Sequence, residues 1–187
     1  MIVGAVYKVQ AQTEVPNSKS TVEFGLGTSN LRTWNMYMLE VGVSHKYDIG
    51  NNFVNNLHLN FGHLNRDFSS RYGPSNSSNA VKYIMSRFHF DHNILYKIFS
   101  KPNSRFKVNV GTGYSILWAS EIRINKSDGI IDDVYDIEVA SLGINFVLEP
   151  TYTFHEKNVF SIGIISQNYI NQDDSNGIMI KYGRLLR

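Results

Sequence analysis

Residues Leu142 to Phe154 read LGINFVLEPTYTF. Every second position is apolar: Leu142, Ile144, Phe146, Leu148, Pro150, Tyr152 and Phe154. Between them lie Gly143, Asn145, Val147, Glu149, Thr151 and Thr153, a mostly polar set that includes a carboxylate. An extended strand turns successive side chains to opposite faces, so this stretch has one greasy face and one largely wet one. Its length exceeds the roughly 9–11 residues that a tilted strand needs to cross a bilayer.

Seven more segments alternate in the same way. Ser20–Thr28 sets Val22, Phe24 and Leu26 against Glu23, Gly25 and Gly27. Met36–Ile49 sets Tyr37, Leu39, Val41, Val43, Tyr47 and Ile49 against a face carrying Glu40 and Lys46. Phe53–Phe68 has Leu57, Leu59 and Phe61 opposite His58, Asn60 and Gly62. In Val81–Phe99, Phe88, Phe90, Ile94 and Tyr96 oppose Arg87, His89, Asp91 and Asn93. Arg105–Ile124 is the longest regular run, with Phe106, Val110, Tyr114 and Trp118 opposite Lys107, Asn109, Gly111 and Gly113. Val159–Ile170 is less clean, because Ile165 breaks the pattern, and Gly177–Leu186 closes the set.

The connections alternate too. Short turns fall at Gly50-Asn51-Asn52, Lys101–Ser104 and His155–Asn158, built from residues that tight turns favour. Longer polar links are expected at Ser29–Trp34, Ser69–Ala80, Asn125–Asp136 and Asn171–Asn176. An even strand count, alternating faces and long links at one end only are the pattern of a membrane-spanning barrel.

Composition agrees. The chain has 187 residues, enough for one domain, with 42% hydrophobic residues and no apolar run of about 18, so a spanning helix is excluded. A spanning barrel escapes that test because lumenal residues dilute each strand. Eleven Tyr, eleven Phe and two Trp suit interfacial belts, a role expected of Tyr96, Phe106, Tyr114, Trp118, Tyr152, Phe154 and Tyr182. A formal charge of +2 without a basic stripe argues against nucleic acid, and the lack of Cys removes disulfides and thiolate chemistry. Met1 to Gln12 reads as the tail of an export signal, with Val9-Gln10-Ala11 resembling a cleavage site; residues 1–19 are assigned to this lead-in and 20–187 to the barrel.

Charge placement selects which face meets lipid. The apolar register from Phe106 to Ile124 and from Leu142 to Phe154 carries no charge. The other face mixes glycines with ionic residues in mid-strand, as the narrow interior of eight strands requires. A structural ion network is expected there from Glu23, Glu40, Arg87, His89, Asp91, Lys107, Glu149 and Lys181, with Arg87, Lys107 and Lys181 as partners of the glutamates.

These features resemble the small OmpA/OmpX-type barrels, and the Asn- and Tyr-rich style resembles the outer membrane protein beta-barrel domain family of Bacteroidota. The resemblance covers residues 20–187, is architectural and implies an all-β, eight-stranded antiparallel up-and-down transmembrane β-barrel in a bacterial outer membrane, contacting its lipids. The chain departs from such barrels in ending Leu185-Leu186-Arg187 rather than on an aromatic residue.

Four groupings could carry chemistry. Arg87, His89, Asp91 and Asn93, with His58 from a neighbouring strand, could form a metal site, but His92 points outward and a hydrogen-bond network is the better reading. Glu23, Glu40 and Glu149 could act as acids and bases, but a plugged lumen admits no substrate. Asp128, Asp132, Asp133 and Asp136 fit no Ca²⁺ loop and read as a solvated loop. On the lipid side His45, His63 and His92 accompany Ser86 and Ser120 without a compact His-x-Ser arrangement. No catalytic residue, metal or cofactor is therefore assigned. The leading expectation is a non-enzymatic structural or surface-interaction protein, with partners meeting Ser69–Ala80 and Asn125–Asp136. The alternatives are a subunit of a larger outer-membrane complex, and a soluble lipocalin-like barrel with Phe146, Val110 and Leu59 lining an apolar cavity.

Overall fold

The computed structural model describes residues 19–31, 36–70, 79–99, 104–127, 130–172 and 174–186. Eight antiparallel strands run β1 Ser20–Leu31, β2 Met36–Ile49, β3 Phe53–Ser70, β4 Asn79–Phe99, β5 Phe106–Ser127, β6 Ile130–Phe154, β7 Asn158–Tyr169 and β8 Ser175–Leu186. Each pairs with the next, and β8 pairs back onto β1, so the sheet is a closed barrel. The expected export-signal remnant Met1–Gln12 lies outside the described residues, as do 71–78 of the Ser69–Ala80 link.

The register fixes the barrel's shape. Starting at Leu31, successive partners are Ser175, Gln167, Asn145, Gly113, Asn93, Asn56, Lys46 and then Thr21. The walk returns to β1 ten residues from its start. That stagger tilts the strands by about 40°, so each residue advances about 2.5 Å along the barrel axis. The 12-residue strands β1, β7 and β8 therefore cover about 30 Å, one hydrocarbon thickness. The 22 residues of β5 and 25 of β6 rise well beyond it.

Here the structure corrects the sequence reading. Asn125–Asp136 is not an open loop: β5 runs to Ser127 and β6 begins at Ile130, with a register shift at Asn125/Lys126. Ile130, Ile131, Val134, Tyr135, Ile137 and Val139 are strong strand formers, and their backbone ladder with β5 outweighs the interspersed aspartates. Asp132, Asp133 and Asp136 thus sit on a strand, and Asp128 lies outside the described residues. The Ser29–Trp34 link is likewise shorter than expected, because Ser29–Leu31 belongs to β1.

The apolar register points outward. Phe24, Leu39, Phe61, Phe88, Ile144 and Ile180 are all exposed, as are Phe146, Val110 and Leu59, which the soluble alternative would need inside. Most of the expected belt, Tyr96, Phe106, Tyr114, Trp118, Tyr152 and Tyr182, is exposed, and Phe154 is half-buried. At the short-turn end the rings form a near-continuous girdle: Phe53 packs on Tyr96 (5.4 Å between ring centres), Phe99 on Phe106 (6.2 Å) and Phe154 on Tyr182 (6.2 Å). Trp118 lies twelve residues further along β5, against Phe88, so the two aromatic levels stand about 30 Å apart. Ile165 breaks the alternation because it turns inward to pack with Val54, Leu95 and Val147.

Leu148 lies on the outward face of β6, four residues inside the span from Tyr152. Leu148→Arg is expected to lower stability by about 2–4 kcal/mol in urea titrations of lipid-reconstituted protein, whereas Val134→Arg, beyond the span, should change it by under about 0.5 kcal/mol.

Candidate functional site

The barrel interior is where the chain concentrates its charge, and alternation alone puts the residues there. Glu23, Glu40, Arg87, His89, Asp91, Glu149 and Lys181 are all buried inside. Their contacts fall into tiers.

Nearest the short turns, four charges alternate in sign across the lumen. Glu23 of β1 accepts from Lys46 of β2, and the same ammonium donates to Glu149 of β6 at 2.5 Å. The second Glu149 oxygen accepts from Lys181 of β8 at 2.8 Å. Ser161 completes the set by donating to Glu23 at 3.2 Å. Lys46 is the residue that the sequence reading passed over, although it stands in the wet register of the second segment. It joins strands 103 positions apart, a meeting across the lumen that local register cannot announce. Glycines clear the space: a Cβ on Gly163 would come within 3.2 Å of the Lys181 ammonium, and one on Gly42 within 2.6 Å of the His58 ring.

The middle tier is a hydrogen-bond network. His58 Nδ1 lies 3.4 Å from Asp91, Gln167 donates to Asp91 at 3.1 Å, and Ser175 donates to Gln167 at 2.9 Å. His89 meets the Tyr169 hydroxyl at 2.7 Å, and Ser115 meets the same hydroxyl at 3.0 Å. Of the cations expected beside the glutamates, Lys181 pairs with Glu149, whereas the hydrogen bonds of Glu40 and the Nε of Arg87 go elsewhere. Glu40 accepts from Ser29 (2.5 Å) and Asn60 (2.9 Å), and Arg87 donates to Met85 Sδ at 3.1 Å. Lys107 does not enter the central chain; it sits half-buried at the mouth.

Toward the long-strand end the lumen turns apolar. Leu31, Met36, Met38, Leu64, Tyr83 and Met85 form one buried cluster, and Leu117, Ala119 and Tyr169 another. Arg123 stands over the Tyr83 ring at 5.6 Å and pairs with Glu121.

Outside, each lipid-side histidine finds a hydroxyl. His45 meets Ser20 (2.6 Å), His63 meets Ser86 (3.0 Å) and His92 meets Tyr114 (3.1 Å). His63 and Ser86 are register partners on β3 and β4, so pairing across strands achieves a His–Ser contact that local spacing did not suggest. His63 makes no hydrogen bond to a carboxylate among the described residues. Three such pairs on one surface are the satisfaction of polar groups that hydrocarbon would otherwise strand.

Lys46→Met would leave Glu23 and Glu149 short of a buried cation. A loss of about 3–5 kcal/mol is expected in urea unfolding of the micelle-bound protein, against under about 1 kcal/mol for Lys107→Met at the mouth.

No protein-family model matches the chain, and no curated protein does. Solved structures do. A major outer membrane protein from Thermus thermophilus aligns with a TM-score of 0.55 at 12% identity, over 90% of this chain and 98% of that one. Ail, the attachment invasion locus protein of Yersinia pestis, crystallised with the heparin analogue sucrose octasulfate, gives 0.55 at 9% identity, over 90% and 99%. The outer membrane protein OprG from Pseudomonas aeruginosa gives 0.54 at 10%, over 91% and 96%. At these identities the likeness is one of fold: the chain is built as the small β-barrels of bacterial outer membranes are.

Proposed function

We propose that this protein is a non-enzymatic barrel of a bacterial outer membrane that seals its own lumen and engages protein partners at the cell surface. The apolar outer wall, two aromatic levels about 30 Å apart and a charged, side-chain-filled interior support the membrane placement. Loop asymmetry argues that the short turns and both ends of the barrel face the periplasm. The layered interior, with ion pairs below and methionines above, supports a lumen closed to ions.

One observation carries the surface role. β6 pairs with β5 along nearly its whole length but with β7 only from Gly143 onward. Ile130–Ala140 therefore forms an edge without a strand partner among the described residues, raised above the membrane on a wall made by β3–β6. Both faces of this edge are exposed, with Ile130 at 70%, Val134 at 60% and Tyr135 at 50% of full accessibility. A bare edge of strand-forming residues invites an added strand.

Its charge selects the partner. Asp132, Asp133, Asp136 and Glu138 give the edge four carboxylates and no cation. A second copy would set like charges opposite each other, which disfavours self-pairing. The same acidity disfavours a sulfated sugar such as the sucrose octasulfate crystallised with Ail. An extended protein segment alternating apolar and basic residues fits.

A synthetic peptide of about ten residues alternating Val and Lys is expected to bind the full-length protein in neutral micelles. Reversing all four carboxylates to Lys should weaken it at least tenfold, as should a central proline in the peptide. Equal binding by the reversed variant, measured by calorimetry, would remove the β6 edge from the account.

A further inference from the structure

The opposite mouth holds a second candidate site. At the short-turn end the lumen widens into a cup of about 470 Å³, floored by Glu23 and Lys46 of the four-charge chain. On its wall Lys97 is held by Asp48 at 3.0 Å. Three more cations, Lys19, Arg105 and Lys107, line the same cup, and none has a carboxylate within salt-bridge distance among the described residues. Five cations thus face three carboxylates, the third being Glu156.

Unused polar atoms gather beside Lys107. Its register partner on β6 is Thr151, and Asn109 is the next inward residue of β5. Thr151 Oγ1 and Asn109 Oδ1 are buried without a hydrogen-bond partner, and Asn109 is only 4% exposed. A buried polar group left unpaired costs about 1–3 kcal/mol, so such a group lining a cup points to something that fills it. The Thr151 hydroxyl and the Asn109 amide can both donate once rotated, and they flank Lys107, one as its register partner on β6 and the other two residues along β5. Arg105 adds at the lip a planar fork suited to tetrahedral oxyanions.

We propose that this mouth binds a small phosphate-type oxyanion, either free phosphate or the phosphoryl group of a phosphomonoester. Lys107, Thr151 and Asn109 hold it, and Arg105 and Lys19 draw it in. Compensating positive charge that the chain itself leaves unbalanced favours a dianion over a single carboxylate. The assignment concerns the mouth away from the β6 edge and does not rest on the surface role.

The test is calorimetric titration of the full chain in neutral detergent, at constant ionic strength, with inorganic phosphate and separately with glycerol 3-phosphate. Saturable one-to-one binding of at least one is expected, weakened at least tenfold by Lys107→Gln and severalfold by Thr151→Val. Binding of phosphate identifies the free anion as sufficient, whereas binding of glycerol 3-phosphate alone identifies an ester. Arg105→Gln, at the solvent-facing lip, carries the same expectation of loss should Lys107→Gln not fold. Absence of saturable binding by either probe overturns the proposal. So does binding that both Lys107→Gln and Arg105→Gln leave unchanged.

Discussion

The structure depends on one closure. A strand crossing hydrocarbon must find a partner for every backbone N–H and C=O, and here the last demand is met by β8 folding back onto β1. The pairing runs from Ser20 opposite Leu186 to Leu31 opposite Ser175, the whole of both strands. Everything else follows from closing at eight strands with a stagger of ten. The ring is then too narrow for a column of water, so inward side chains must satisfy one another.

That requirement explains the composition of the inner face. The chain Glu23, Lys46, Glu149, Lys181 is neutral as a set and ties four strands together across the lumen. Such buried pairs give little net stability, since desolvation offsets much of the attraction. Their contribution is to register: slipping one strand by a residue would turn a lumenal charge into lipid. Glycines beside the long side chains and methionines above them are the volume adjustments of the same tight interior. Beyond the membrane these constraints lapse, and there β3–β6 continue as a wall whose β6 edge has no strand partner among the described residues.

Much of this was legible in the sequence because period-two alternation is strong wherever one face meets lipid. Strand β2, Met36–Ile49, has the bounds that alternation predicts. The signal failed where both faces are wet: Asn125–Asp136 lacks a greasy stripe, so its aspartates read as a loop while its Ile, Val and Tyr held a strand. It also failed inside. Val147, Met38 and Met85 stand in the polar register, and no local pattern gathers them into apolar layers. Cross-lumen partners were hidden for a geometric reason: the stagger sets Lys46 against Glu149 at a place no adjacent-strand register reveals. The contact of His63 with Ser86 was missed because the spacing sought was local, whereas the pair forms across two strands.

A closed barrel whose apolar face meets lipid resists unfolding by detergent until it is heated. The decisive experiment is to fractionate cells that express the chain and compare the detergent extract on gels before and after boiling. Recovery in the outer membrane is expected, with a shift in mobility on boiling as the hydrogen-bonded ring opens. Recovery as a detergent-free soluble monomer would contradict a lipid-facing wall, because Phe146, Val110 and Leu59 could not then remain on the outside.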